Sequence, residues 1–171
     1  EPLINDNNNL SGSEIIHTEE SIKPNDKPSY VIRRGANTSM ALAIKSVKNQ
    51  SSAMVSAGNT GALMAFSKLF LKTISDINRP AIAACFPTKR GEVCMLDLGA
   101  NIECDKNNLI QFALMGQAFA KIVIGIKNPK VSLLNIGEEE IKGLSYIQEA
   151  SEILKNLSKI INYCGYVEGD R

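Results

Sequence analysis

The sequence predicts an α/β protein: a mostly parallel sheet with helices on both faces and one inserted antiparallel hairpin. Short apolar runs of strand length alternate with longer segments of helical periodicity, as a parallel sheet with crossover helices requires. Three of those runs end in a polar turn that carries a glycine, at residues 56–61, 97–101 and 135–139. The run before 97–101 is joined to the run preceding it by a five-residue connection, Pro87 to Gly91, which is hairpin spacing rather than crossover spacing.

In chain order, a polar loop at residues 5–9 precedes a short strand expected at 14–17. Pro24 and Pro28, with turn formers between them, mark a connection over residues 23–28. A helix is expected from Ser39, which can cap it, with Met40, Leu42, Ala43, Ile44 and Val47 on its apolar face. Residues 53–57 then read as a strand and 58–61 as a turn. The helix after them buries Leu63, Met64, Phe66, Leu69, Phe70 and Ile74. Strands at 81–86 and 93–96 make the hairpin, and a helix over 105–124 is stopped by Asn128-Pro129. A strand at 131–134 leads to a helix from Glu138 to about Lys159, and a last strand lies near 160–167. A single α/β domain over residues 1–171 is the expectation for this length.

Composition removes several classes of function. The chain is 44% hydrophobic, enough for a packed core. Its 19 basic and 18 acidic residues are well mixed, so no field of one sign exists to hold a polyanion, and nucleic acid is not an expected partner. Cys85, Cys94, Cys104 and Cys164 form no Cys-x-x-Cys pair and His17 is the only histidine, so neither a zinc site nor a disulfide framework is indicated. Reduced thiols and a cytoplasmic location fit best. Gln111, Gln117 and Lys121 interrupt the most apolar window, 109–126, which marks a buried or subunit-contact helix rather than a membrane span. Starting at Glu1 without a Met and stopping just after an apolar run, the chain reads as a piece of a longer protein.

Ligands of a doubly wound sheet collect beyond the carboxyl ends of its strands. The first such loop holds Ser56, Gly58, Asn59, Thr60 and Gly61. Glycine allows close backbone approach, and the free N–H groups opening the next helix carry partial positive charge, so the loop suits an anion such as phosphate. It matches neither the dinucleotide fingerprint nor the P-loop. The plainer reading is a tight turn in which Asn59 or Thr60 caps the helix. In the second loop, Asp97, Gly99 and Asn101, the Asp can be a general base, a metal ligand or a turn holder that accepts backbone N–H groups, the commonest fate at a strand end. In the third, Asn135, Gly137 and Glu138 precede Lys142. The acidic run Glu138-Glu139-Glu140 is accounted for by the dipole of the helix expected there. Lys142 is either the ion-pair partner of Glu138 four residues earlier or a cation reaching back over the anion site. Arg79 is a further cation near these elements, and Lys89 with Arg90 in the hairpin connection is solvated surface or a contact for an acidic protein. No serine or cysteine is seen with a base beside it, so direct transfer is expected.

Several phrases occur together in one order: Ser56-Ala57-Gly58-Asn59-Thr60-Gly61-Ala62-Leu63-Met64, Arg79-Pro80-Ala81-Ile82, Leu96-Asp97-Leu98-Gly99-Ala100-Asn101, Gln111-Phe112-Ala113-Leu114-Met115-Gly116, and Asn128-Pro129-Lys130-Val131 running into Leu133-Leu134-Asn135-Ile136-Gly137-Glu138-Glu139. Lys142-Gly143 and Gly165-Tyr166-Val167-Glu168-Gly169 complete them. Together they resemble the PlsX-type phosphate acyltransferases. The resemblance implies a fold like isocitrate dehydrogenase and phosphotransacetylase, a homodimer, no metal or nucleotide cofactor, and peripheral membrane association. It also implies transfer of a long-chain acyl group from acyl carrier protein to inorganic phosphate, with Lys142 as the catalytic residue and the three loops binding substrate. The family's opening strand and its later segment with the membrane-facing helices are absent, so the chain alone is expected to be inactive or nearly so. Two rivals remain: a phosphotransacetylase-like enzyme using acyl-coenzyme A, and a noncatalytic anion-binding module.

Overall fold

Residues 28–70 build three helices around a single apolar cluster. In the computed structural model, which describes residues 12–89 and 91–169, they are α1 (Pro28–Arg34), α2 (Ser39–Asn49) and α3 (Thr60–Phe70). They belong to the first of two units, which divide between Lys72 and Thr73. The sequence reading missed α1. Proline opens it, at a position where a helix leaves an N–H unpaired in any case. Thr38, not Ser39, caps α2: its Oγ1 accepts from Ala41 N and donates to Gly35 O at 2.7 Å, while Ser39 is already inside the helix. Met40, Ala41 and Ile44 of α2 meet Ala62 and Phe66 of α3 and Val31 of α1. Phe66 is 0% exposed and its ring stacks on Phe70 at 5.4 Å. Gly35 is needed where α1 turns into α2, because a Cβ there would stand 2.7 Å from the Phe66 ring.

Two expected strands of this unit are not formed. Residues 14–17 and 53–57 run outside regular structure, and Val55 is 96% exposed. A strand exists through its ladder, and among the described residues nothing pairs with either segment. The helix expected to reach Ile74 stops at Phe70, shortly before Lys72 takes a left-handed φ of 65°. The expected loop at 5–9 and Arg90 lie outside the described residues.

The second unit carries the sheets. β1 (Ala83–Thr88) and β2 (Gly91–Leu96) form an antiparallel hairpin with Ala83 opposite Leu96 and Thr88 opposite Gly91. The connection is thus shorter than the five residues expected. Asp105 and Asn108 close a reciprocal capping box on α4 (Lys106–Phe119), which continues through a π turn to Ile124 and ends at Gly125 with φ 80°. β3 (Val131–Leu134) and β4 (Tyr163–Val167) pair in parallel, joined by the crossover helix α5 (Ser145–Asn156). The architecture is mixed α/β, with one small parallel and one small antiparallel sheet among the described residues rather than one mostly parallel sheet. α5 begins seven residues later than the expected start at Glu138. Gly143 has φ +89° and Leu144 is extended, so residues 138–144 turn instead of coiling.

α4 packs against β2, β3 and α5. The buried centre is Ala113 of α4, Leu133 of β3, Ala150 and Leu154 of α5, and Ile161, with Tyr163 and Tyr166 packed beside it. Buried Gln117 ties α4 to the β4 approach, donating to Ile160 O at 2.9 Å and accepting from Asn162 N at 3.3 Å. β4 carries a one-residue bulge: Val131 pairs with Tyr163 but Leu133 with Tyr166. Gly165 supplies the required left-handed φ of 87°. The extra residue lets Tyr163 and Tyr166, three apart, both meet the core. Among the described residues no helix is long and apolar enough to cross a membrane.

Candidate functional site

In the first unit, the turn at residues 56–61 is organised as a helix start. Asn59 Oδ1 accepts from Ala62 N at 2.9 Å and so caps α3, while Asn59 Nδ2 donates to Pro24 O at 2.8 Å. Gly58 N donates to Ser56 Oγ at 3.2 Å, and a Cβ on Gly58 would stand 2.8 Å from Cε of Met40. Thr60 and Gly61 are the first two residues of α3 and are exposed. The cap accounts for Asn59. The first-turn N–H groups of an α-helix are suited to an anion.

In the second unit, Asp97 follows β2 and its carboxylate is a hub. Oδ1 accepts from Ile82 N at 2.9 Å and Ala100 N at 3.2 Å; Oδ2 accepts from Asn101 N at 2.9 Å and Asn101 Nδ2 at 3.0 Å. Asn101 Nδ2 also donates to Pro80 O, and Arg79 Nη1 donates to Glu103 O at 3.0 Å. Two phrases far apart in sequence, Arg79-Pro80-Ala81-Ile82 and Asp97 to Asn101, are therefore laced into one turn. Gly99, at φ 87°, makes the turn possible. The acceptor sites of a carboxylate number about four, and these four bonds occupy them.

Burial raises the Asp97 pKa, but the N–H groups of Ile82, Asn101 and Ala100 and the Asn101 amide lower it, and lowering prevails. A carboxyl whose folded pKa lies below its unfolded value lends stability above the unfolded value and loses it as pH falls through the folded one. Denaturation midpoints followed down the acid limb should therefore fall more steeply for the native chain than for Asp97→Asn. The two curves should converge at the acid end. A gap that stays constant to the lowest pH would show that the ionised carboxylate is not its source.

The third loop leaves β3. Asn135 is only 8% exposed and its Nδ2 donates to Gly137 O and to Lys142 O, both at 3.1 Å, so one amide closes the loop on itself. From α5, Gln148 Nε2 reaches Ile141 O at 3.0 Å and Lys142 O at 3.3 Å. The Lys142 carbonyl is thus held from two sides while its side chain is exposed. Gly137 gives the lysine stem its place: a Cβ there would lie 3.0 Å from Lys142 Cγ and 2.6 Å from Glu139 Oε2. Lys142 and the acidic run lie in this nonhelical loop, so neither the helix dipole nor helical i, i+4 spacing accounts for them. Glu140 pairs instead with Lys155.

Asn135, Gly137, Glu138 and Lys142 are thus gathered in one loop, and Asp97, Gly99 and Asn101 in another loop of the same unit. Sequence reading missed Gln148, Ile82 and Pro80 as supports. Pro80 and Ile82 lie in one of the ordered phrases, and Gln148 is an amide in the first turn of an amphipathic helix beside the loop. A depression of about 320 Å³ lined by Gln117, Lys121, Asn128, Lys159 and Asn162 includes none of the expected site residues. Among the described residues no three His, Cys, Asp or Glu side chains gather as metal ligands.

The whole chain, residues 1–171, matches the family model described as fatty acid synthesis protein. It is 54% identical over 157 residues to a phosphate acyltransferase of Ehrlichia ruminantium, covering 91% of this chain and 46% of that protein. A phosphate acyltransferase of Parvibaculum lavamentivorans is 53% identical over 163 residues, 94% of this chain and 45% of its own length. One from Wolbachia pipientis is 48% identical over 169 residues, 98% and 49% of the two chains. The chain spans about half the length of the curated relatives it matches.

Proposed function

The chain belongs to the fatty acid synthesis protein family, and on that footing we propose that the full-length protein is a phosphate acyltransferase. It moves a long-chain acyl group from acyl carrier protein to inorganic phosphate, giving acyl phosphate for phospholipid synthesis. The observation that carries this is identity of 48–54% to proteins named phosphate acyltransferase, over nearly the whole of this chain. The ordered phrases around Asp97, Asn135 and Lys142 support it. The same reading makes residues 1–171 part of one α/β domain of the isocitrate dehydrogenase and phosphotransacetylase type. It also makes the protein a cytoplasmic homodimer that touches the membrane through segments outside this chain.

In the proposed reaction a phosphate oxygen attacks the thioester carbonyl carbon. The carbon–oxygen bond forms, the carbon–sulfur bond breaks, and the carrier's thiolate leaves. Lys142 holds phosphate and offsets the charge developing on the tetrahedral oxygen. Phosphate is already anionic and a thiolate leaves readily near neutral pH, so no strong base is required, which agrees with an Asp97 whose oxygens are spent on its turn. The parts given to Ser56, Gly58, Asn59, Thr60 and Gly61, and to Asp97, Gly99, Asn101, Asn135, Gly137 and Glu138, are substrate binding, proposed from the family resemblance.

The test is release of carrier-protein thiol from long-chain acyl carrier protein by the full-length protein, with and without phosphate, beside acyl-coenzyme A. Release that needs phosphate and prefers the carrier protein is expected. Preference for the coenzyme A ester would favour the phosphotransacetylase rival, and no release from either donor would overturn the enzymatic reading.

A further inference from the structure

The β1–β2 hairpin places two thiols opposite each other. In its register Cys85 pairs directly with Cys94, so both side chains project from the same face of the two-stranded sheet. Directly opposed residues of antiparallel strands have Cβ atoms about 4.5–5.5 Å apart, while a disulfide asks for Cβ atoms roughly 3.5–4.5 Å apart and Cα atoms within about 7 Å. A small local adjustment closes that difference. Both cysteines are reduced, Cys85 is exposed and Cys94 is half-buried. The other two thiols stand on other elements: Cys104 bonds Asn101 O near the Asp97 turn, and Cys164 bonds Asn162 O in β4.

We propose that Cys85 and Cys94 form a reversible dithiol–disulfide site, oxidised by exchange with a small-molecule disulfide of the glutathione type. The exposed Cys85 thiolate attacks one sulfur of the oxidant and expels one equivalent of its thiolate. The Cys94 thiolate then attacks the Cys85 sulfur of the mixed disulfide and expels the second. Two protein thiols and one disulfide become one protein disulfide and two small thiols, with the two protein protons passing to the departing thiolates. Burial, and the Cys85 sulfur beside it, raise the Cys94 pKa, so Cys94 stays protonated longer, which suits a resolving rather than an initiating thiol. The bridge would span the hairpin three residues before Asp97. An exposed cross-strand bridge belongs to the readily reduced class of disulfides.

The test equilibrates the full-length protein in glutathione buffers from fully reduced to fully oxidised, followed by acid quench, alkylation and peptide mapping by mass spectrometry. A Cys85–Cys94 linked species lacking two hydrogens should rise from a trace to the majority form, and vanish when reduced glutathione is restored. Cys85→Ser and Cys94→Ser should each leave only a glutathione adduct on the remaining hairpin cysteine. Full alkylation of both thiols in oxidised glutathione alone, or linkage of either to another cysteine, would overturn the proposal. Because the readout is a covalent bond, it is decided whether or not the acyltransferase reading holds.

Discussion

Lys142→Ala in the full-length protein is expected to lower phosphate-dependent acyl transfer by roughly 10²–10³-fold, the usual cost of removing one preorganised donor from a site of developing negative charge. Stability should hardly change. The side chain is exposed, and among the described residues it makes no ion pair, the pairs being His17–Glu19, Lys106–Glu149 and Lys155–Glu140. An exposed substitution of this kind costs within about 0.5 kcal/mol. Turnover with phosphate as the varied substrate, read beside a urea midpoint, separates the two effects. Turnover equal to that of the native protein would remove Lys142 from the mechanism, whatever the protein's substrate preference.

Gly143→Ala strikes the support rather than the lysine, and should lower both stability and turnover. Gly143 holds φ +89°, where an L side chain is strained, and a Cβ there would run into Asn135 Oδ1. That oxygen is already buried without a hydrogen-bond partner, so nothing compensates for moving it. Backbone strain of this type costs on the order of 1–3 kcal/mol. Displacing Asn135 would also release the Gly137 and Lys142 carbonyls that its amide holds. An error of about 1 Å in placing a catalytic group can cost on the order of 100-fold in rate. The informative result is a joint fall in urea midpoint and turnover. Native turnover despite a lowered midpoint would mean that the loop's geometry does not set the position of Lys142.

Much of this architecture was legible because the signals were local. The hairpin, the Asp105 start of α4 and the limits of β3 follow from apolar runs punctuated by Pro, Gly and a capping residue. Residues 53–57 carry the same apolar signal, yet a ladder depends on a neighbour that no local pattern reveals, and none is present among the described residues. The misplaced start of α5 has a different cause. Glu138-Glu139-Glu140 is a fair helix opening in isolation, but the left-handed Gly143 and the amides of Asn135 and Gln148 impose a loop that ends only at Leu144. Asp97 was readable as a turn holder. That its partners would be Ile82 and, through Asn101, Pro80 was not, because they come from the irregular segment that leads into β1, fifteen or more residues earlier in the chain.

The bulge at Gly165 works as a phase shifter. A strand counts its residues in twos, and one uncounted residue moves everything downstream by half a period. Val167 O lands opposite Asn135 N at 2.9 Å only because that half-period has been inserted. The starting point of the lysine-bearing loop is therefore timed by a glycine on the neighbouring strand, thirty positions further along the chain. In β4, length is a tighter constraint than side-chain identity. An insertion or deletion between Tyr163 and Val167 would rotate the tyrosines off the core and break the hydrogen bond from which the loop is launched.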